Sequence, residues 1–61
     1  MLSFKIHRSE DRQFYFTLVA RNGKVIMTSE TYKRKLNSHI GIRAITRGMH
    51  RKSYKIIDCT L

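Results

Sequence analysis

The sequence contains no proline, no tryptophan and one cysteine, and only four of its 61 residues are acidic. A single cysteine, Cys59, excludes a disulfide within the chain. We expect Cys59 to be a small buried apolar residue rather than an exposed thiol that pairs between molecules. The three histidines are scattered, and neither Cys-x-x-Cys nor His-Glu-x-x-His occurs. The sequence therefore predicts no metal site and no cofactor.

The shortage of acidic residues also limits catalysis, because acid–base chemistry needs carboxylates or a histidine held close to a partner. Glu10 and Asp11 are neighbours in an expected loop, and Glu30 precedes the expected helix, where a carboxylate favours the helix N-terminus. Asp58 is the fourth acidic residue. The three glycines are isolated, so there is no phosphate-binding loop, and no local nucleophile signature occurs. We therefore expect no enzyme activity.

The length predicts a single domain over residues 1–61. A domain this small buries only about 60% of its unfolded surface, so its stability is marginal without a supplement. Because we expect no disulfide and no metal, oligomerisation is the remaining source of additional stability. The first residues contain no long apolar run, which predicts neither a signal peptide nor a membrane anchor. We expect a cytoplasmic protein that has no membrane partner.

Positive charge is what the chain has in excess. Lys and Arg total 13 against 4 Asp and Glu, giving a formal net charge of +9. The electrostatic field of this charge attracts polyanions over ~8 Å at physiological salt. An acidic protein, a nucleic acid or a nucleotide is therefore a candidate partner. The alternative is that the positive charge only keeps the protein soluble and binds no partner. The candidate anion- or partner-binding residues are Lys33, Arg34, Arg43, Arg47, Arg51 and Lys52.

Alternating apolar residues predict strands over residues 3–8, 13–20 and 25–29. The second strand is apolar on both faces, which predicts a central position in the sheet. Asn22-Gly23 is a turn signal with two possible registers. A two-residue loop places Val25 and Met27 on the face of Phe16, whereas a three-residue loop with Gly23 in a bulge places Ile26 there. The better core residue, Ile26, favours the second register.

From residue 33 to 48 the pattern becomes helical. One side combines Ser38, Gly41, Ile42, Ile45 and Met49, which predicts the face that packs on the sheet. A glycine inside a helix destabilises the helix by ~1 kcal/mol relative to alanine. A close approach of the helix to the sheet would explain why Gly41 occupies this position.

Leu36, Ile40 and Ala44 form a second apolar stripe on the helix, which favours a second subunit as its partner. Isolated apolar surface residues are the alternative. Residues 53–61 resemble a last strand. The candidate dimer-interface residues are Leu36, Ile40, Tyr54, Ile56 and Ile57. Tyr15 and Tyr32 are candidates for base stacking, although clustered sheet aromatics are absent and sequence-specific single-strand binding is not supported.

The spacing of residues 14–45 resembles the bacterial YegP-like domain family. The matching positions are Phe14, Phe16, Leu18, Ala20, Asn22, Gly23, Ile26, Ser29, Glu30, Tyr32, Lys35, Ser38, Gly41, Ile42 and Ile45. The resemblance implies members with two tandem copies or one copy that dimerises, sharing one sheet and exchanging C-terminal strands. Arg34 departs from the family, which usually has a small polar residue at this helix N-cap position. The helix also lacks the acidic residues usual in the family.

We therefore predict an α+β fold of order β-β-β-α-β, with an antiparallel sheet, one packed helix and a C-terminal strand swapped in a homodimer. The predicted function is a non-catalytic protein-interaction or regulatory module with a strongly basic surface. The alternative is non-specific nucleic-acid or nucleotide binding through the basic helix.

Overall fold

A computed structural model describes residues 2–48 and 54–60. The described ranges contain β1 (Leu2–Arg8), β2 (Phe14–Val19), β3 (Val25–Thr28), α1 (Lys35–Thr46) and β4 (Tyr54–Asp58). The predicted α+β fold and its β-β-β-α-β order are confirmed. The helix is shorter than predicted, beginning at Lys35 rather than at residue 33.

The four strands form one sheet in the order β3-β2-β1-β4. β1 and β2 are antiparallel, with Phe4 opposite Leu18, and β2 lies in the interior as its two apolar faces predicted. β4 is parallel to β1, with Ile56 beside Phe4. The sheet is therefore mixed, whereas we predicted an antiparallel one. Two parallel strands cannot be joined by a tight turn and need a crossover connection. Here the chain reaches β4 through α1, which lies between β3 and β4 in the sequence.

The core lies between α1 and one face of the sheet. Phe4, Ile6, Phe16 and Ile42 are fully buried there, with the Phe4 and Phe16 rings edge to face at 5.9 Å between centroids. Burial of such a side chain stabilises a fold by ~1.5–3 kcal/mol, so four of them make a small core. The strand alternation puts Phe4 and Ile6 on one face of β1, and the helical period predicted that Ile42 packs on the sheet.

The sheet-facing side of α1 largely follows the prediction. Ser38 and Ile42 are buried, whereas Ile45 is 39% exposed, and Met49 lies outside the described residues. Gly41 lies against Phe16, because a β-carbon at position 41 would be 3.0 Å from Phe16 Cε2. The predicted close approach of helix and sheet at Gly41 is confirmed.

The β2–β3 hairpin has the predicted three-residue loop, but Ile26 does not face the core. Gly23 has φ +87°, the Gly23 amide donates to the Ala20 carbonyl at 2.9 Å, and the Ala20 amide donates to the Lys24 carbonyl at 2.8 Å. The register then shifts, because Val25 lies opposite Val19 while Met27 lies opposite Leu18. Ile26 is the extra residue of this bulge and is 55% exposed, so its predicted core position is wrong.

Cys59 is exposed, which corrects the expectation of a buried apolar residue. It follows the last residue of β4, an edge strand. The Cys59 amide donates to the Ile6 carbonyl at 2.9 Å, so the backbone continues along β1 while the residue remains open to solvent.

Candidate interaction surface on the helix

The outer face of α1 carries a line of two apolar and two cationic residues. Leu36, Ile40, Arg43 and Arg47 follow one another at steps of four, three and four, the spacing that aligns side chains along one side of a helix. Leu36 is 64% exposed and Ile40 is 56% exposed, and both arginines are exposed. We call these four residues the outer face. It is apolar towards the N-terminus of α1 and cationic towards its C-terminus.

The N-terminal end of α1 is also cationic. Arg34 is the N-cap residue and makes no side-chain capping hydrogen bond, and the first turn contains no acidic residue. Arg34 therefore occupies the helix N-cap position at which the sequence departs from the family. Lys33 and Arg34 are exposed beside backbone amides that already carry partial positive charge, so the positive potential is concentrated there. Glu30 lies before this segment and is exposed.

Of the six candidate anion-binding residues, four lie within the described chain. Lys33 and Arg34 lie at one end of α1, and Arg43 and Arg47 lie on its outer face at the other end. The structure therefore separates them into two cationic groups along one helix. Arg51 and Lys52 lie outside the described residues.

Lys35 is bound to Asp58 and so differs from the neighbouring cations. Lys35 Nζ lies 2.9 Å from Asp58 Oδ2. Asp58 Oδ1 also accepts hydrogen bonds from the Thr60 hydroxyl at 2.5 Å and the Thr60 amide at 2.8 Å. The Thr60 hydroxyl, and then Lys35, hold the pKa of the Asp58 carboxyl well below its ordinary value. This ion pair joins the first turn of α1 to the end of β4, and no spacing in the sequence indicates it.

A shallow groove of about 250 Å³ lies between the C-terminal half of α1 and β4. Its lining residues are His39, Ile42, Arg43, Thr46, Tyr54 and Ile56. The groove brings a candidate anion-binding residue, Arg43, together with two candidate interface residues, Tyr54 and Ile56. The Tyr54 ring also packs edge-on against Phe4, with 5.6 Å between centroids.

The five candidate interface residues do not form one surface. Leu36 and Ile40 lie on the outer face, and Tyr54 and Ile56 line the groove. Ile57 pairs with Lys5 on the opposite side of the sheet from the core. Both base-stacking candidates, Tyr15 and Tyr32, are half-buried, and the Tyr32 ring lies parallel to that of Phe16 with 6.4 Å between centroids.

Sequence reasoning missed the apolar side chains of β3. Val25 is 58% exposed beside Ile26, and Met27 is also exposed. Apolar composition indicated a strand correctly, but it did not distinguish a buried strand from this exposed edge strand. The position of β3 at the sheet edge was the missing information.

Within residues 2–48 and 54–60, no helix combines the length and apolar character needed to cross a membrane.

Comparison with known proteins identifies relatives of this chain. Residues 9–51 match the family model described as "Domain of unknown function (DUF1508)". Over 42 residues the chain is 43% identical to UPF0339 protein plu2779 of Photorhabdus laumondii, covering 69% of this chain and 37% of the relative. It is also 43% identical over 42 residues to UPF0339 protein YegP of Escherichia coli, covering 69% and 38%.

A third relative, UPF0339 protein PA0329 of Pseudomonas aeruginosa, is 40% identical over 48 residues, covering 79% of this chain and 44% of the relative. The chain therefore spans about two-fifths of the length of the curated relatives it matches. No solved structure matches it. Because the family model covers more than half of the chain, and the resemblance to YegP-like domains is confirmed, the chain belongs to the DUF1508 family, whose description assigns no function.

Proposed function

We propose that this chain is a non-catalytic interaction module that works in the cytoplasm as a homodimer and binds an acidic protein through the outer face of α1. The observation that carries the proposal is the line of exposed Leu36, Ile40, Arg43 and Arg47. Such a face is complementary to a segment that presents apolar side chains followed by carboxylates. Burial of the two apolar side chains supplies affinity, and the arginines supply orientation and a faster association rate.

The homodimer is supported by the balance of buried and exposed apolar residues. Across the described ranges, five hydrophobic residues are buried. Among the described residues outside the outer face, five further large hydrophobic residues are exposed, namely Val25, Ile26, Met27, Ile45 and Ile56. The resemblance to YegP-like domains implies either tandem copies or a dimer, and a second molecule would supply a second copy.

The outer face is a poor candidate for the contact between two copies. A symmetric contact there would bring Arg43 and Arg47 of both molecules to one interface, where like charges repel. The candidate interface residues of β4, Tyr54, Ile56 and Ile57, fit a dimer better. β4 lies at the sheet edge with β1 as its strand neighbour. A copy's β4 could occupy the same register on the partner's β1, so exchange would retain every strand–strand hydrogen bond.

A pair of engineered cysteines tests the exchange. Ser3 and Lys55 are direct neighbours across β1 and β4. We expect Ser3→Cys with Lys55→Cys, in a Cys59→Ser background, to form disulfides between two chains on mild oxidation, because each β4 lies on the partner's β1. A non-reducing gel should show a covalent dimer that reductant separates.

The matched controls are the Ser3→Cys and Lys55→Cys single variants in the same background, which should remain mostly monomeric on the gel. If the double variant instead gives an internally closed monomer, β4 lies on its own chain and the exchange is wrong.

The acidic partner is tested with two synthetic peptides of equal negative charge. One is amphipathic, with leucines and glutamates on one helical face, and the other is polyglutamate. We expect the amphipathic peptide to bind more tightly, and Leu36→Ala with Ile40→Ala to remove that advantage. Arg43→Gln with Arg47→Gln should weaken both peptides. Equal affinities for the two peptides in the native chain would show that Leu36 and Ile40 take no part.

A second candidate function is non-specific binding of nucleic acid or a nucleotide through α1. It is favoured by the absence of any acidic residue in α1 (Lys35–Thr46) and by the cationic groups at both ends. On duplex DNA, log K should fall with log salt by ~0.9 for each phosphate neutralised. Arg43→Glu with Arg47→Glu should abolish binding, and no mobility shift of a duplex at low salt would reject this candidate.

A further inference from the structure

The sheet face opposite α1 presents a second surface with a different composition. The strand register arranges its residues in rows across the sheet. One row is Thr28, Thr17, Lys5 and Ile57, the next is Val25, Val19, Ser3 and Lys55, and a short third row is Tyr15 and His7. We call these residues the open face, because α1 packs on the other side of the sheet; Thr17 and Val19 are buried within it, and the other residues are half-buried or exposed.

The open face carries cations and no carboxylate among the described residues. Lys5 and Lys55 lie on adjacent strands two positions apart, at a backbone separation of roughly 8 Å from standard strand spacings. The acidic residues lie elsewhere. Glu10 and Asp11 are in the β1–β2 loop and Glu30 follows β3, while Asp58 lies beside Ile6 on the core side. No described residue of the open face therefore carries a negative charge that would neutralise the lysines.

An aromatic pair lies on the same face. His7 and Tyr15 are direct partners on β1 and β2, and their rings stack with centroids 5.0 Å apart and an interplanar angle of 25°. His7 Nε2 lies 2.9 Å from the Thr17 hydroxyl, which positions the imidazole ring. Both rings are half-buried on the two interior strands, so they form a rigid platform rather than two mobile side chains.

We propose that the open face binds single-stranded nucleic acid without sequence preference, with a base stacked on the His7–Tyr15 platform and phosphates on Lys5 and Lys55. Stacking is sequence-tolerant because every base has a π-face, and a cationic surface beside an aromatic ring is the usual combination in single-strand binding. A single strand fits better than a duplex, whose bases are already stacked on one another. It also fits better than an acidic protein, because carboxylates gain nothing from a stacking platform.

The experiment measures fluorescence anisotropy of labelled 12-nucleotide oligouridylate and oligothymidylate with the full chain, over a range of salt. Tyr15→Ala should lower affinity about 5- to 150-fold, which corresponds to the ~1–3 kcal/mol of one stacked base. Tyr15→Phe keeps the ring and should bind like the native chain.

A double lysine variant tests the phosphate contacts without changing the platform. Lys5→Gln with Lys55→Gln should reduce the slope of log K against log salt by ~1.4, because each single-strand phosphate contact contributes ~0.7. Arg43→Gln with Arg47→Gln removes the same charge from the outer face of α1 and is the matched control. It should leave the slope within experimental error. If circular dichroism shows that Tyr15→Ala is unfolded, the comparison of the lysine and arginine double variants tests the proposal instead.

Three results would overturn the inference. The first is loss of oligonucleotide binding in the arginine variant but not in the lysine variant, which would place the nucleic acid on α1. The second is a duplex of equal length binding as tightly as the single strands, which would exclude stacking. The third is binding of polyglutamate, sensitive to the lysine variant, with no binding of either oligonucleotide; an acidic protein would then be the ligand of this face. None of these results tests the homodimer or the amphipathic peptide, so the proposed function stands or fails separately.

Discussion

Gly41 on α1 lies directly against the ring of Tyr32, the residue that leads the chain from β3 into the helix. A β-carbon at position 41 would be 2.8 Å from Tyr32 Oη and 3.0 Å from Phe16 Cε2. Tyr32 is itself fixed, because its amide donates to the Phe14 carbonyl at 2.6 Å and its carbonyl accepts from the Phe14 amide at 2.7 Å. The absence of a side chain at Gly41 therefore sets how closely α1 packs on the sheet.

Gly41→Ala should destabilise the fold although alanine is the better helix former. Alanine adds ~1 kcal/mol of helix propensity, but overpacking costs ~1–3 kcal/mol and Phe16 is buried on the far side. We expect a net loss of about 1 kcal/mol in chemical unfolding. Tyr32→Phe removes the nearer clashing atom, so Gly41→Ala should cost less in that background. A stabilising Gly41→Ala would show that the helix has room to move away.

Gly23→Ala should cost ~1–2 kcal/mol through backbone strain alone. Gly23 has φ +87°, a conformation that L side chains rarely adopt, and a β-carbon there would meet nothing within 4 Å. Gly23→Asn should cost less, because asparagine tolerates this conformation better. Gly48→Ala is the matched control, since position 48 has the same open space without the positive φ. Equal unfolding free energies for the two alanine variants would contradict the account of the turn.

Ser38→Ala should stabilise the protein. Ser38 is fully buried, and its hydroxyl has no hydrogen-bond partner among the residues that the structure describes. An unsatisfied buried hydroxyl costs ~1–3 kcal/mol, and alanine is also the better helix former. We expect an increase of about 1 kcal/mol in the free energy of unfolding by urea. A loss of stability on removing the hydroxyl would mean that Ser38 has a polar partner in solution.

Asp58→Asn should lower stability near neutral pH and have a diminishing effect in acid. Folding lowers the pKa of Asp58, so its ionised form stabilises the folded chain above the ordinary carboxyl pKa of about 4. That contribution is lost as the pH falls from about 4 towards the lowered folded-state pKa. The thermal stabilities of the two proteins should therefore differ most near pH 7, and the difference should shrink steadily as the pH falls below about 4. Glu10→Gln, in the exposed β1–β2 loop, is the control, and a difference that persists unchanged in acid would contradict the role of the carboxylate.

The sequence predicts those features of the fold that depend on local periodicity. Alternation in β1 and β2 places Phe4, Ile6 and Phe16 in the core, and the helical period places Ser38 and Ile42 against them. Asn22-Gly23 predicts the turn itself, and Gly23 has the positive φ, but the three-residue loop is favoured by a core position for Ile26 that the structure contradicts. In each case the determinant lies within a few residues along the chain.

The features that the sequence does not predict depend on contacts between distant segments. The bulge at Ile26 changes the register between β2 and β3 by one residue, and it forms only when the two strands pair. The exposure of Cys59 depends on the position of β4 at the edge of the sheet. The ion pair between Lys35 and Asp58 joins residues 23 apart in the sequence. The same holds for the candidate site, since the spacing predicts that Leu36 and Ile40 share one side of α1, but it does not predict the groove formed with β4.

The oligomeric state is the central claim of the proposed function, and the mass of the native chain in solution tests it most directly. The chain has a mass of 7.3 kDa. Sedimentation equilibrium of the reduced protein across a range of micromolar concentrations should give twice that value, because in the proposed homodimer a second copy covers part of the exposed apolar surface and adds to a small core. A mass of one chain at every concentration, with a fully folded circular dichroism spectrum, would contradict the homodimer.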